Sequence, residues 1–360
     1  MARSERLEEP SERATSADVA RLAGVSRATV SLVLNDRADE IRISARTRDR
    51  VAAAAARLGY RPNHAASSLR RRRTGVLAFV LSSLDSIYNS EVVSAAQAAA
   101  DRRGYSLNVM SVRSPELEAR AFALLQSGAA DGVIVSVPPE PIVEELGRIT
   151  NRGIPVVLLQ QHSPDPAITA VRVDLEAGGH VATRHLLALG HRRIAHIGNE
   201  AQHLLERKDR TDGYLRALRE AGLSPDPTLV AHAETSLAGG CRAMHVLLDR
   251  ANPPPTAAFI YNDQMAVGAL HALRERGLRV PQDMAVIGFD GIALGRYVAP
   301  TLSTIDHARD EVGRVAADTL ADLLADGASR APERVLPVRL VLRQSCGGLE
   351  SGAALPEPGD

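Results

Sequence analysis

The sequence predicts a small all-α helix-turn-helix head joined to an α/β core of two doubly wound parallel-sheet subdomains. Three observations predict it. Residues 15–35 carry two short amphipathic helical patterns separated by a glycine. From Gly75 onward, short aliphatic runs alternate with helical stretches in two successive series. Charge is divided unevenly. Positions 13–73 hold fourteen arginines against five acidic residues, a surplus of nine, although the 360-residue chain balances 43 basic with 43 acidic residues. A basic head on an acidic body is the footprint of a phosphate-binding module on a soluble carrier.

The head is taken first. Residues 1–14 show no periodicity and are expected to form a disordered tail. Thr15 or Ser16 can cap a first helix running to about Ala23, because a hydroxyl there accepts an orphan backbone N–H. Gly24 can take the positive φ of a sharp helix exit. Ser26 can cap a second helix to about Leu34. Val19, Ala20, Ala23, Val30 and Val33 give the two helices one apolar face each. In the helix-turn-helix pattern the N-terminal end of the second helix meets base edges in the major groove. Here that end shows Arg27, Ala28 and Thr29, although an ordinary helical hairpin would show the same spacing. Asp36 to Arg42 reads as a charged connection. Ser44 can cap a third helix through Leu58, with Val51, Ala54, Ala55 and Leu58 on one face, and Gly59 ends it. Pro62 disfavours helical geometry at Arg61. Asn63 can then cap the segment HAASSLR, which is too short and polar to be a stable helix alone. Arg70 to Arg73 follow as a basic run, suited to phosphate contact.

In the body, Val76–Leu81, Ser106–Met110, Gly132–Val137 and Val156–Leu159 read as buried strands. Glu91–Arg103, Glu116–Gln126 and Ile142–Arg152 read as the helices between them. A second series has strands at Arg193–Ile197, Leu229–His232, Ala257–Tyr261 and Met284–Gly288. Its helices are Ala177–Leu189, Arg210–Ala221, Ser236–Asp249 and Asn262–Arg276. Strand–helix alternation implies parallel sheets covered by helices on both faces. Ligands of such sheets bind outside the carboxyl ends of the strands, so the loops there hold the candidate residues. Residues 349–360, rich in Gly, Pro and Glu, are expected to be a second disordered tail and carry no leucine heptads.

Several classes are disfavoured. No apolar run approaches the length that spans a membrane, and the polar N-terminus lacks the apolar core of a signal peptide, so a cytoplasmic protein is expected. Cys241 and Cys346 stand far apart with no CxxC or Cys/His cluster, so no metal site and no cofactor are expected. There is no GxxxxGK[ST], GxSxG, HExxH or DFG motif, and no GxGxxG after the first strand. His180, His185, His191 and His196 are scattered. The expectation is therefore that the chain is not an enzyme.

The run DVARLAGVSRATVSLVLN resembles the N-terminal signature of the lactose/galactose-repressor (LacI/GalR) family of bacterial transcription regulators. ISARTRDRVAAAAARLGYRPNHAASSL resembles that family's third helix and hinge helix, and the rest resembles its sugar-binding core, whose architecture is periplasmic-binding-protein-like. The resemblance divides the chain into a helix-turn-helix domain at 15–60, a hinge and linker at 61–74 and a core at 75–348. In the family the chain crosses between subdomains three times. That implies one subdomain of about 75–174 with 305–331 and another of about 175–304 with 332–348. It also implies a DNA-binding regulator, a homodimer since the family's occasional tetramerising leucine heptads are absent, and a repressor of carbohydrate-utilisation genes released from a pseudo-palindromic operator by a sugar or sugar phosphate. The alternatives are a corepressor-dependent regulator and a sugar-binding sensor with no DNA role.

The expected DNA contacts are these. Arg27 would grip a guanine bidentately and Ala28 offer apolar contact. Thr15, Ser26, Thr29, Ser31 and Asn35 would hold phosphates and set register. The hinge would contribute Asn63, His64, Leu69 and Arg70. In the family a leucine matching Leu69 wedges into the minor groove and kinks the duplex. For the effector, Arg210 in KDRTDGY matches the arginine that grips the ligand, and a guanidinium fork suits hydroxyl pairs or a carboxylate. Asn262 in NDQMAVGAL matches a polar cleft residue, with a simple helix cap as its other reading. Asp290 in VIGFDG matches the effector-binding aspartate, with a structural ion pair as its other reading. Ser83, Asp85 and Tyr88 fall in the loop that the family places at the cleft. There this chain has Ser86-Ile87-Tyr88-Asn89 where the family pattern carries Asn-Pro-Phe-Phe. LGHRRIAHIG contains the family's turn before a strand, which makes His191 structural.

Overall fold

The structure is a computed structural model that describes residues 14–34, 43–60, 73–136, 142–160, 165–200 and 209–347. Asn35, Asn63, His64, Leu69 and Arg70, the expected hinge helix and both expected tails beyond Ala14 lie outside the described residues. The chain divides into two units, Met1–Thr74 and Gly75–Asp360.

The first unit is built on helices α1 (Ser16–Ala23), α2 (Arg27–Leu34) and α3 (Ala45–Arg57). Thr15 caps α1 reciprocally. Its hydroxyl accepts the Asp18 N–H at 3.3 Å, and the Asp18 carboxylate accepts the Thr15 N–H at 3.0 Å. Gly24, at φ 62° and ψ 43°, turns the chain out of α1 in the left-handed conformation. Ser26 caps α2 through the Thr29 N–H at 3.1 Å, and Ser44 caps α3 through the Thr47 N–H at 3.3 Å. Val19, Val30 and Val51 are buried at the centre among Ala20, Ala23, Ala54 and Ala55. Small side chains let the three helices approach closely. Within the alanine run of α3, positions 54 and 55 face this core and 52, 53 and 56 face outward.

The second unit holds two six-stranded sheets. The strands are β1 (Val76–Leu81), β2 (Ser106–Ser111), β3 (Gly132–Ser136), β4 (Val156–Leu159), β5 (Thr169–Val173), β6 (Ile194–Asn199), β7 (Val230–Ala233), β8 (Ala257–Ile260), β9 (Ala285–Asp290), β10 (Ser303–Asp306), β11 (Arg334–Leu336) and β12 (Arg339–Val341). The helices are α4 (Ile87–Arg102), α5 (Pro115–Gln126), α6 (Val143–Thr150), α7 (Leu175–Ala188), α8 (Arg210–Glu220), α9 (Leu237–Arg250), α10 (Asp263–Glu275) and α11 (Arg309–Asp326). The first sheet runs β11-β5-β4-β3-β1-β2, all parallel. The second runs β12-β10-β9-β8-β6-β7 and is parallel except for β12, which pairs antiparallel with β10. Side-chain alternation divides β1 between two cores. Leu77, Phe79 and Leu81 face one helical layer, while Ala78 and Val80 face the other. Burial on both faces explains why these strands read as unbroken aliphatic runs.

The subdomain boundaries differ from those implied by resemblance. β5 and β10 were not expected as strands, and β10 joins the second sheet beside β9 before the chain crosses back at His307-Ala308. α11 then lays Val312, Ala316 and Leu320 into the first core. Val335–Leu342, expected wholly in the second subdomain, is split. β11 extends the first sheet beside β5, and β12 joins the second. Pro337 lies between them and supplies no N–H to a ladder, so one continuous strand cannot form there. Leu175 and Val338, at two of the crossings, each touch a core of both subdomains.

Candidate functional site

A cleft of about 400 Å³ opens where the carboxyl ends of the two sheets face each other. That is the volume of a small-molecule site. One wall comes from the first subdomain: Ser82, Ser83 and Asp85 after β1, Ser86 and Tyr88 at the start of α4, Ser136 after β3 and Gln160 after β4. The other comes from the second: Asn199 of β6, Arg210 opening α8, Ser236 capping α9, Tyr261 and Asn262 after β8, and Asp290 ending β9. All six residues expected at an effector site, Ser83, Asp85, Tyr88, Arg210, Asn262 and Asp290, line this one cleft.

Arg210 is the anchor of the second wall. It is 6% exposed, with its guanidinium carbon 4.3 Å from the Tyr261 ring centroid and 4.1 Å from that of Phe289. Rings on two sides offset part of the desolvation cost of the buried cation. One Nη donates to Asp290 Oδ1 at 3.1 Å, and the Nε is buried with no hydrogen-bond partner among the described residues. A buried donor left unsatisfied costs about 1–3 kcal/mol, which a ligand acceptor would recover. Asp290 holds φ 108°, a strained conformation for a residue with a Cβ, and Gly291 follows at φ 74°. His307, fully buried, places Nε2 3.3 Å from the same Asp290 oxygen.

Asn262 carries both readings at once. Its Oδ1 accepts the Met265 N–H at 2.8 Å, capping α10, while its amide group remains as a donor on the cleft wall. Beneath it lies Asp263, fully buried, accepting from the Thr304 hydroxyl at 2.6 Å and the Ile292 N–H at 2.9 Å. Burial, and then the nearby Asp290 charge, push the Asp263 carboxyl well above the usual carboxylate range. Gly288 makes room for it: a Cβ there would stand 2.2 Å from Asp263 Oδ1.

The first wall is more polar and more open. Ser83 Oγ accepts the Asp85 N–H at 3.0 Å, and Asp85 pairs with Arg113 at 2.9 Å on the exposed rim. That Arg113 hydrogen bond, helped by Ser83, lowers the Asp85 carboxyl. Tyr88 receives a hydrogen bond from the Gln160 amide, and its ring centroid lies 5.1 Å from that of His307. Burial, and then Asp290, push the Tyr88 phenol up.

Reading the sequence missed Tyr261, Phe289, Asp263, Gln160 and His307. Tyr261 and Phe289 each precede an expected site residue by one position, so the strand ends carried that signal. His307 follows β10, which was itself missed. Two other histidines are structural. His191 Nδ1 lies 2.9 Å from the Thr256 hydroxyl. His196 is sealed between the Tyr214 and Phe259 rings at centroid distances of 4.9 and 5.2 Å.

In the head, Ser26, Arg27 and Ala28 are exposed on the first turn of α2. Thr29 is half-buried, with its hydroxyl 2.9 Å from that of Ser26. The Thr15 hydroxyl donates to Asp18 at 2.7 Å, and Ser31 is half-buried further along α2. The hydroxyls of Thr15 and Ser26 therefore already serve as helix caps, and that of Thr29 is bonded to the Ser26 cap.

Comparison with known proteins covers both units. The pattern described as bacterial regulatory proteins, lacI family, matches residues 15–63, and that of the periplasmic binding protein-like domain matches residues 183–346. The chain is 34% identical over 338 residues to the HTH-type transcriptional regulator DegA of Bacillus subtilis (strain 168), covering 93% of this chain and 98% of DegA. Among solved structures, the transcriptional regulator CelR–cellobiose complex is 32% identical with a TM-score of 0.69, covering 92% of this chain and 100% of that one. The lac repressor dimer bound to operator and the anti-inducer ONPF is 30% identical with a TM-score of 0.81, covering 93% and 99%.

Proposed function

The chain belongs to the lacI family of bacterial regulatory proteins, and from that premise we propose that it is a dimeric, cytoplasmic repressor of carbohydrate-utilisation genes, released from its operator by a sugar or sugar phosphate. The observation that carries this reading is the polar cleft between the two sheets, with the Arg210–Asp290 pair on its second wall. Arg210 would offer its unpaired donor to a ligand oxygen, Asp290 would accept from adjacent hydroxyls, and the Asn262 amide would donate to a third. Ser83, Asp85 and Tyr88 would close on the ligand from the first wall. The ligand leaves unaltered; its recovery intact after incubation with the protein checks that no turnover occurs.

At the head, Arg27 would read a base and Ala28 contact a thymine methyl, with Thr15, Ser26, Thr29, Ser31 and Asn35 on phosphates. Asn63, His64 and Arg70 would hold the backbone while Leu69 wedges the minor groove. Effector binding would move one subdomain against the other about their three chain crossings and weaken the DNA-bound state. A coupling of about 1–3 kcal/mol suffices for such a switch. Arg27→Ala is expected to relax base preference at one position per half-site at a cost of about 1–3 kcal/mol. An affinity loss equal for all sequences would move Arg27 to the phosphate backbone instead.

The test is a gel shift on DNA upstream of the chain's own gene, repeated with a panel of sugars and sugar phosphates. A specific shift abolished by one compound supports the reading and names the effector. A shift that needs a compound reverses the sign and makes the ligand a corepressor. No shift of folded dimer on any genomic fragment overturns the operator reading.

A further inference from the structure

α9 and α10 lie side by side on the second sheet, in backbone contact. A Cβ on Gly240 would stand 2.0 Å from the Met265 carbonyl oxygen, and one on Gly268 would stand 1.9 Å from that of Leu237. This close approach brings two i, i+4 pairs together, Cys241 with His245 on α9 and His271 with Glu275 on α10. Such spacing puts both members of a pair on one helix face. Cys241, His245 and Glu275 each bring a ligand atom within 4.8 Å of the other two. His245 Nε2 is 3.1 Å from one Glu275 oxygen, and His271 Nε2 is 3.3 Å from the other. The Nδ1 atoms face away, each receiving an arginine N–H: His245 from Arg276 at 3.1 Å and His271 from Arg274 at 2.9 Å. Both rings therefore carry their proton on Nε2 and point it at a shared carboxylate.

We propose that Cys241, His245 and Glu275 hold a divalent transition-metal ion of the zinc class, with solvent in the fourth position. One thiolate, one imidazole and one carboxylate are donors that zinc takes, whereas magnesium and calcium take oxygen. The protons balance simply. The Cys241 thiol loses its proton to solvent as sulfur binds the ion. The His245 imidazole loses its Nε2 proton and gains one on Nδ1, remaining neutral. Arg276 then gives up His245 but keeps the Asp249 carboxylate, already 2.7 and 2.9 Å away. Cys241 and His245 are half-buried and Glu275 is exposed, so the ion enters from solvent. The same helices begin at Ser236 and Asn262 on the cleft wall, so the ion would brace the two helices that carry these residues.

The experiment uses the full chain, freed of any affinity tag and stripped by chelator. Calorimetric titration with Zn²⁺ should show one saturable site per chain, and Zn²⁺ but not Mg²⁺ should raise Tm. Co²⁺ should give a thiolate-to-cobalt charge-transfer band that disappears in Cys241→Ser. Glu275→Gln should weaken Zn²⁺ at least tenfold while melting like the wild type without metal. If Cys241→Ser fails to fold, His245→Gln is read for the same loss of zinc affinity. Absence of saturable binding overturns the proposal, as does a cobalt band that survives in folded Cys241→Ser.

Discussion

His196 shows how much one buried side chain can set. Its Nδ1–H donates to the Phe259 carbonyl at 2.9 Å, and its Nε2 accepts from the Thr211 hydroxyl at 2.9 Å, which fixes a neutral tautomer between two rings. Burial pushes the imidazole down to about 4. An unfolded histidine titrates near 6.5, so between about pH 6.5 and 4 the unfolded chain binds a proton that the folded chain refuses. Stability from this residue is complete above pH 6.5 and declines as pH falls toward 4, by about 3 kcal/mol in all. Urea titrations across that window should show a shallower pH slope for His196→Phe than for the wild type. An equal slope would remove His196 as the source. The buried pair on the second wall of the cleft gives a second prediction. Asp290→Ala leaves the Arg210 cation without its carboxylate and should cost about 3–5 kcal/mol by denaturant unfolding of the ligand-free protein. Arg210 and Asp290 could be picked out because KDRTDGY and VIGFDG resemble the family's motifs at those positions. Asp263 and His307 could not, since only the fold reveals that Gly288 leaves room for one and that β10 delivers the other.

Elements succeed here by fitting their neighbours as much as by propensity. The close approach of α9 and α10 depends on glycine, and Gly268→Ala should destabilise the core by about 3 kcal/mol, at the upper end of overpacking costs, measured as a fall in Tm. Thr15→Ala removes the hydroxyl half of the α1 capping box and should cost about 1 kcal/mol in the melting of the head. The helices of the head were legible because caps, glycine exit and apolar spacing agree at each end. The strands that escaped notice are short or weakly patterned. β5, TAVRV, carries an arginine inside it, and β10, STID, is four residues with two hydroxyls and a carboxylate. β11 and β12 are three residues each, too short for their pattern to say which sheet either one joins. α4 starts at Ile87 rather than Glu91 because Ser86 caps it, a signal hidden in a loop otherwise read for ligand contacts.

At the scale of the molecule, the two subdomains are woven together by chain crossings, and neither is one continuous segment. A chain ending at residue 308 keeps five strands of the first sheet but loses α11, β11, β12 and the cover that Val312, Ala316 and Leu320 provide. It should retain far-UV helical signal, bind a hydrophobic dye and lose a cooperative melt. A sharp two-state transition in that truncated chain would show that α11 is dispensable to the first core. Two sheets and a cleft were legible in the sequence because strand–helix alternation is a local signal. The last crossings were not, since they depend on which edge a three-residue strand reaches. That weaving sets a clock on synthesis. β1 begins at Val76 and β11 ends at Leu336, so at about 5–20 residues per second a ribosome needs on the order of ten to fifty seconds between the first strand of that sheet and its last. For that interval the nascent β5 edge and the bed of α11 stand open, an unpaired strand edge beside an uncovered apolar face.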